Sequence, residues 1–269
     1  MRFYDAHNHL HDERLGGRQD ALVTAAVQAG LGRMVVNGSC ETDWSAVQDL
    51  ARRHPCVLPS FGYHPWYLHK RTSAWKTTLR MFLDETPGAV VGEIGLDRWK
   101  PHLPYDGQEE SFVWQLRLAA ERNIAVSIHC LRAWGRLHDL LRVEPRPARG
   151  FLLHSYGGPA EMVQPLARFG AYFSFPGYYL HDHKIRQRET FKHVPPDRLL
   201  IETDAPDQLP PETIAGFHFL TDSATGKGIN HPANLTPIYG AVSEMLGEPL
   251  ETLAARIEVN FKRLFEPQV

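Results

Sequence analysis

Three polar side chains alternate along the stretch YDAHNHL near the N-terminus: Asp5, His7 and His9. Because successive side chains of a strand point to opposite faces, these three share a face, with the two histidines roughly 6 to 7 Å apart. At that separation two imidazoles can bind one metal ion. A hydrogen-bonded histidine packed inside an apolar strand is an equally good interpretation of this stretch by itself.

More metal-binding residue types stand at the ends of later apolar runs: His64, Glu93, His129, His154, Glu202 and Asp204. Imidazole and carboxylate groups gathered at one rim can hold two divalent ions about 3.5 to 4 Å apart with a carboxylate between them. The predicted ligands are His7, His9 and Asp204 for one ion, His129 and His154 for the other, and Glu93 for both.

Such a centre lowers the pKa of a bound water, and a nearby carboxylate can take the remaining proton as the water attacks. We expect Asp204 to be that base as well as a ligand, and Glu93 to be required for catalysis as the bridge. Asp5 and Glu202 are expected either to orient ligands or to be ordinary polar residues of the interior.

These side chains can converge only if the fold gathers the ends of distant strands. Eight short apolar or β-branched runs alternate with helical stretches, at residues 2–9, 33–38, 57–64, 89–95, 125–130, 150–155, 171–175 and 198–204. Residues 107–123 carry a helical apolar stripe. The alternation predicts a single-domain α/β protein, a (β/α)8 TIM-type barrel over residues 1–269, with an open doubly wound sheet as the alternative.

Composition restricts the function classes. The 269 residues are 43% hydrophobic and 22% charged, with a formal net charge of −2, so the chain lacks the basic excess that long nucleic acid requires. No run is long enough to span a membrane. The start MRFYDAH does not resemble a signal peptide, so a cytoplasmic protein is expected. Cys40, Cys56 and Cys130 form no C-x-x-C pair and are expected to be reduced.

Six motifs together carry a resemblance: DAHNHL at the start, GYHPW at 62–66, VGEIGLD at 91–97, SIHC at 127–130, LHSYGG at 153–158 and ETDAP at 202–206. With HPANL and NFKRLF near the C-terminus, the chain resembles the TatD family of metal-dependent hydrolases, within the amidohydrolase-like superfamily, from end to end. The resemblance implies a TIM-type barrel with two divalent metals and a magnesium-dependent deoxyribonuclease activity on phosphodiesters, often from a DNA end. It also implies that His64 contacts a substrate phosphate.

Three segments depart from the family pattern. After the strand-six histidine, residues Ser155 to Gly158 read SYGG, where many family members have a Cys-Phe-Thr-Gly or Ser-Phe-Ser-Gly run. The segment 207–229 is longer than the usual connection. The loop with Arg98, Trp99 and Lys100 could stack a base and pair with a phosphate, or could be a solvated edge.

The sequence therefore favours hydrolysis of DNA or small nucleotide phosphodiesters, with the substrate bound locally and no obligate protein partner. Hydrolysis of an amide, a lactone or a phosphotriester is the alternative, and a catalytically idle metal-binding protein is the third. The Glu93 position tilts the choice toward the first, because many amidohydrolase relatives use a carboxylated lysine there. Four histidines favour zinc or manganese over magnesium as the resident ion.

Overall fold

The structure is a computed structural model, and it describes residues 1–103 and 105–266. Eight parallel strands lie in sequence order in one sheet. They are β1 (Phe3–Asn8), β2 (Leu31–Asn37), β3 (Val57–Phe61), β4 (Val90–Asp97), β5 (Val126–Leu131), β6 (Phe151–Leu153), β7 (Ala171–Pro176) and β8 (Leu199–Glu202). Their apolar, β-branched character suits a sheet that is covered on both faces.

Helices connect the strands and cover the outside of the sheet. In the described ranges they are α1 (Gln19–Gln28), α2 (Trp44–Arg53), α3 (Trp75–Glu85), α4 (Tyr105–Arg122), α5 (Trp134–Val143), α6 (Val163–Arg168), α7 (Ile185–Phe191), α8 (Leu235–Leu246) and α9 (Leu250–Phe265). In α9 the buried residues Leu253, Ile257, Phe261 and Leu264 recur at helical spacing, so one face packs on the barrel. Gly247 ends α8 at φ 66°, a left-handed conformation that glycine adopts without steric cost.

The first and last strands close the barrel at the carboxyl end. The backbone N–H of Asp204 donates to the carbonyl of His7 at 3.0 Å, and the N–H of His9 donates to the carbonyl of Ala205 at 2.7 Å. The carboxylate of Asp5 accepts hydrogen bonds from the N–H of Thr203 at 3.0 Å and from its hydroxyl at 2.6 Å. The sheet is therefore a nearly closed barrel whose seam lies beside the N-terminal histidines.

The predicted (β/α)8 barrel is confirmed, since all eight expected strands are present in parallel order. Three strands end earlier than the sequence predicts: β3 ends at Phe61 rather than 64, β6 at Leu153 rather than 155, and β8 at Glu202 rather than 204. After β6 and β8 the backbone leaves the extended conformation, with Ser155 and Asp204 at φ 44° and 54°. The predicted domain limit at 269 lies outside the described residues.

Two other expectations concern the helical segments and the long loop. The helix expected at 107–123 is α4, two residues earlier at its start. The long segment after β8 contains a small antiparallel hairpin of β9 (Phe219–Thr221) and β10 (Gly228–Asn230).

Throughout the described ranges, every helix is too short or too polar to cross a bilayer. All three cysteines are free, as expected.

Candidate metal centre

The structure brings the predicted site residues together around one carboxylate, that of Glu93. The two oxygens of this side chain face different groups of histidines. Oε2 lies 3.4 Å from Nε2 of His7 and 3.1 Å from Nε2 of His9. Oε1 lies on the other side, within 3.2 Å of His64, 3.0 Å of His129 and 2.8 Å of His154. The carboxylate is 3% exposed, so it bridges two imidazole groups inside the barrel mouth.

The first group consists of His7, His9 and Asp204. Oδ1 of Asp204 lies 3.6 Å from Nε2 of His7 and 3.7 Å from Nε2 of His9, and these two nitrogens are 3.3 Å apart. The three residues each offer one ligand atom within 4.8 Å of the others, which is a spacing that a single ion could occupy. The closure of β1 against β8 produces this cluster, because it places Asp204 beside the end of β1.

The second group consists of His64, His129 and His154. Nδ1 of His129 lies 3.3 Å from Nε2 of His154. The ring of His154 also stacks on that of His7, with centroids 4.0 Å apart, so the two groups are in direct contact. The combinations His7, Glu93, His154 and His64, Glu93, His129 each satisfy the same ligand spacing. The mouth of the barrel therefore offers donor atoms for more than one ion.

Groups behind the histidines fix which ring nitrogen faces the centre. Nδ1 of His9 lies 2.7 Å from the carbonyl oxygen of Asn37, which can only accept, so this nitrogen carries the proton. Nε2 of His129 lies 3.1 Å from Oδ2 of Asp97, which fixes the proton on that nitrogen. Nδ1 of His7 contacts the hydroxyl of Ser127 at 2.7 Å. His9 and His129, when neutral, thus direct lone pairs at Glu93, as metal ligands do.

This arrangement is electrostatically incomplete without a positive charge. Among the described residues, Oε1 of Glu93 and Oδ1 of Asp204 are buried and have no hydrogen-bond partner of good geometry. Burial alone would lower the pKa of His9, but the hydrogen bond to Glu93 and the Glu93 charge outweigh burial and raise the pKa to about 10. A cation or a proton is therefore stabilised at this point, and the donor set fits a divalent metal.

His64 differs from the other histidines in its tautomer. Its Nδ1 accepts a hydrogen bond from the backbone N–H of Trp66 at 3.2 Å, at the start of the 3-10 helix Pro65–Lys70. Burial lowers the pKa of His64 to about 4, so the ring is neutral at pH 7 and carries its proton on Nε2. The N–H at Nε2 thus faces the centre, 3.2 Å from Oε1 of Glu93, and an N–H suits an anionic oxygen better than a metal ion.

The two carboxylates expected to orient ligands have different surroundings. Glu202 accepts hydrogen bonds from Ser155 and Ser174, and it lies 3.7 Å from Nδ1 of His154, so it faces a site histidine. Asp5 contacts the backbone N–H of His7 at 3.2 Å rather than its ring. Its effect on the site passes through the backbone of β1, since its carboxylate fastens β1 to β8.

Asp97 was not recognised as a site residue from the sequence. Its carboxylate contacts the His129 ring and accepts from the indole N–H of Trp66 at 2.6 Å. Asp97 follows Glu93 by four residues in β4, and this even spacing on one strand was the signal that could have identified it. Asn37 and Ser127, which contact His9 and His7, gave no comparable signal.

The loop after Asp97 is only partly free to meet a substrate. The side chain of Arg98 lies 3.5 Å from Glu109, so an acidic neighbour compensates its charge. The Nζ of Lys100 lies over the Trp66 ring at 3.3 Å from its centroid, and the Trp66 ring lies 5.0 Å from that of His64. Trp99 is 50% exposed. The Lys100 cation therefore lies near the His64 edge of the centre, separated from it by the Trp66 ring.

Comparisons with known proteins agree with this geometry. The sequence profile of the family described as "TatD related DNase" matches residues 4–266. The "3'-5' ssDNA/RNA exonuclease TatD" of Escherichia fergusonii is 30% identical over 263 residues, which cover 97% of this chain and 98% of the relative. The protein of the same name from Citrobacter koseri is 31% identical, with 92% of each chain covered.

The fold is also similar to that of a TatD homologue of known structure. The crystal structure of YjjV, a TatD homologue from Escherichia coli K12, superposes with a TM-score of 0.89, at 25% identity and with 99% of both chains covered. The family and the buried ligand clusters together indicate divalent metal ions at this site. The match over almost the whole length, on a barrel with its histidines and acids at the strand ends, establishes that this chain is a hydrolase belonging to the TatD family.

Proposed function

We propose that this protein removes nucleotides from single-stranded DNA or RNA by hydrolysing phosphodiester bonds at a centre of two divalent ions. The Escherichia fergusonii and Citrobacter koseri relatives are named as 3'-5' exonucleases of single-stranded DNA and RNA, and the present chain shares their family over nearly its whole length. Phosphodiester hydrolysis needs a nucleophilic water and compensation of the charge that develops on the phosphoryl oxygens. The site supplies residues for both needs.

The two oxygens of the Glu93 carboxylate face different imidazoles, and this supports a centre of two ions. One oxygen faces His7 and His9, and the other faces His129 and His154. A carboxylate that serves a single ion would not need imidazoles on both of its oxygens. We assign Asp204, His7 and His9 to one ion, His129 and His154 to the second, and Glu93 to both.

When bound, the ions supply a water of lowered pKa and positive charge next to the phosphate. The chain's own groups do the remaining work. Burial raises the pKa of Asp204 when no metal is bound. Its carboxylate lies at the rim of the centre, where it can accept the proton that the attacking water loses. The neutral His64 donates from Nε2 to a phosphoryl oxygen. Asp97 and the Asn37 carbonyl hold His129 and His9 in the required tautomers.

The composition of the donor set bears on which metal is used. Four histidines accompany only two carboxylates, Glu93 and Asp204. Zinc and manganese accept imidazole more readily than magnesium, which prefers oxygen ligands and keeps several waters. We propose that zinc or manganese is the resident ion, and that the cytoplasmic location expected from the sequence applies to the working enzyme.

The test combines metal content and cleavage. Purified protein is stripped with a chelator, reloaded with Zn²⁺, Mn²⁺ or Mg²⁺, and incubated with a single-stranded oligonucleotide whose products are separated by chromatography. We expect about two bound ions, release of mononucleotides, and loss of at least ~10³-fold in rate for Glu93→Gln. Cleavage by the stripped protein, or unchanged cleavage by Glu93→Gln, would contradict the proposal.

A substrate panel separates the alternatives. Carboxylic amides, lactones and phosphotriesters are offered to the same metal-loaded protein beside the oligonucleotide. Faster turnover of any of these than of the phosphodiester would favour the wider amidohydrolase chemistry. Absence of turnover on every substrate, at full metal occupancy, would favour a protein that binds metal without catalysis.

A further inference from the structure

A cavity of about 770 Å³ lies on the carboxyl side of strands β5 and β6 and takes no part in the chemistry described above. It lies between the segment after β5, the segment after β6 and helix α7. Its walls include Arg132, Trp134, Gly158, Arg186, Thr190 and His193. Its volume falls within the range of about 300 to 1,000 Å³ that is typical of sites for small organic ligands.

The walls of the cavity begin shortly after two of the site histidines along the chain. One wall begins at Leu131, two residues after His129, and another at Gly157, three residues after His154. The hydroxyl of Tyr179 donates to the carbonyl of Ser155 at 2.5 Å, which fixes the segment between His154 and the cavity. A chain of nucleotides that places one phosphate at the centre could therefore place its neighbour in this cavity.

The side chains of the cavity suit a nucleotide. Arg132 and Arg186 are both exposed, and neither forms an ion pair with any residue that the structure describes. By contrast, Glu189 in the same wall is neutralised by Lys192 at 2.7 Å, and Glu161 is the remaining acidic residue there. The lining thus holds two uncompensated cations against one such acid, which favours an anionic occupant.

Trp134 supplies an aromatic surface in the same cavity. Its ring is only partly buried, and it meets Tyr156 edge to face, with centroids 4.7 Å apart. Tyr156 is buried, and its hydroxyl donates to the carbonyl of Pro159 at 2.8 Å. Trp134 is therefore held from one side by a fixed ring and is available to stack an unpaired base.

We propose that this cavity binds the nucleotide next to the one removed, with its base on Trp134 and its phosphate between Arg132 and Arg186. The proposal rests on the phosphodiesterase function proposed above and adds a second nucleotide site to it. A base can enter the cavity only when it is unstacked and unpaired, and the net charge of −2 provides no wider basic surface for a duplex.

The test compares two substrates of the same metal-loaded enzyme. Hexathymidylate offers a neighbouring nucleotide, whereas bis(p-nitrophenyl) phosphate offers one phosphodiester and no nucleoside. We expect Trp134→Ala to raise KM for hexathymidylate about 10-fold and to leave kcat/KM for the small diester unchanged, with Trp134→Phe restoring most of the loss because stacking is retained. Arg132→Ala and Arg186→Ala should each act in the same direction.

A binding measurement separates charge from stacking. Fluorescence anisotropy of labelled hexathymidylate is recorded at increasing salt with chelator-treated protein. Each arginine variant should reduce the slope of log Kd against log salt by about 0.7, whereas Trp134→Ala should weaken binding at constant slope. Arg142→Ala is the matched control, because this exposed arginine lies in the last turn of α5, the helix that begins at Trp134.

The outcomes are distinguishable. If the wild-type enzyme cleaves neither substrate, the proposed function itself fails. If it cleaves both, and the Trp134, Arg132 and Arg186 variants match Arg142→Ala, the cavity does not bind a nucleotide. An equal loss on both substrates also overturns the proposal, since the cavity residues would then act on the metal centre rather than on the strand.

Discussion

Oδ2 of Asp97 lies 3.1 Å from Nε2 of His129, while the other ring nitrogen of His129 lies 3.0 Å from Glu93. Burial alone would raise the pKa of Asp97, but the hydrogen bond and charge of His129 outweigh it and lower the pKa to about 2. The carboxylate is therefore charged at every working pH, and it keeps the imidazole proton on the side away from the centre.

Replacing Asp97 by Asn should weaken metal binding. The amide carries no charge and cannot accept from both the His129 ring and Trp66 with the same strength, so the His129 tautomer is less well fixed. We expect an affinity loss of about 10- to 100-fold, measured by competition with a chromogenic chelator. Asp139→Asn on the exposed surface of α5 is the control. An unchanged affinity would show that the Asp97 contact does not support the ligand.

His64 and His129 should behave differently although both contact the same oxygen of Glu93. Because His64 presents a donor N–H, His64→Ala should retain the metal and lose about 100-fold in kcat/KM on a phosphodiester. His129→Ala should lose metal content as well as activity. Elemental analysis and kinetic measurements on the two variants test whether His64 binds the metal. Equal loss of metal in both would mean that His64 is a ligand.

Metal binding should release protons at neutral and mildly alkaline pH. The pKa of His9 is raised to about 10 by Glu93 when no metal is present, so this ring is protonated below that pH and must lose its proton to become a ligand. The association constant for Zn²⁺ should therefore rise about 10-fold per pH unit between pH 7 and 9. Calorimetry in buffers of different ionisation enthalpy counts the protons, and an affinity independent of pH would contradict this assignment.

Gly95 should tolerate no side chain. A Cβ at this position would lie 1.9 Å from the carbonyl oxygen of His129, because β4 and β5 approach each other closely beside the site. Gly95→Ala should lower the free energy of unfolding by at least about 2 kcal/mol, measured by urea denaturation. Gly135→Ala is the matched control: its Cβ would meet nothing within 4 Å, and in α5 it should change stability by between 0 and about +1 kcal/mol. Similar stabilities for the two variants would contradict the predicted clash.

The site chemistry was largely readable from residue types. Alternation in YDAHNHL placed His7 and His9 on one face, and the apolar runs identified eight strands whose ends carry the remaining acids and histidines. These signals are local, since strand periodicity and apolar character depend on neighbouring residues. The parallel order of the strands then followed from the helices between them, which is why the expected side chains do meet around Glu93.

Other features depend on contacts between residues far apart in the chain. The carbonyl of Asn37 determines the tautomer of His9, and Asp97 determines that of His129. Asp5 accepts a hydrogen bond from Thr203 and so joins the first strand to the last, rather than contacting the His7 ring. The cavity with Trp134 and Arg186 likewise forms only where separate segments pack together. The sequence alone determined which residue types reach the rim, because that follows from the strand pattern. Only the tertiary structure decided which atom of each faces which partner, because hydrogen bonds between distant segments have no local pattern in the sequence.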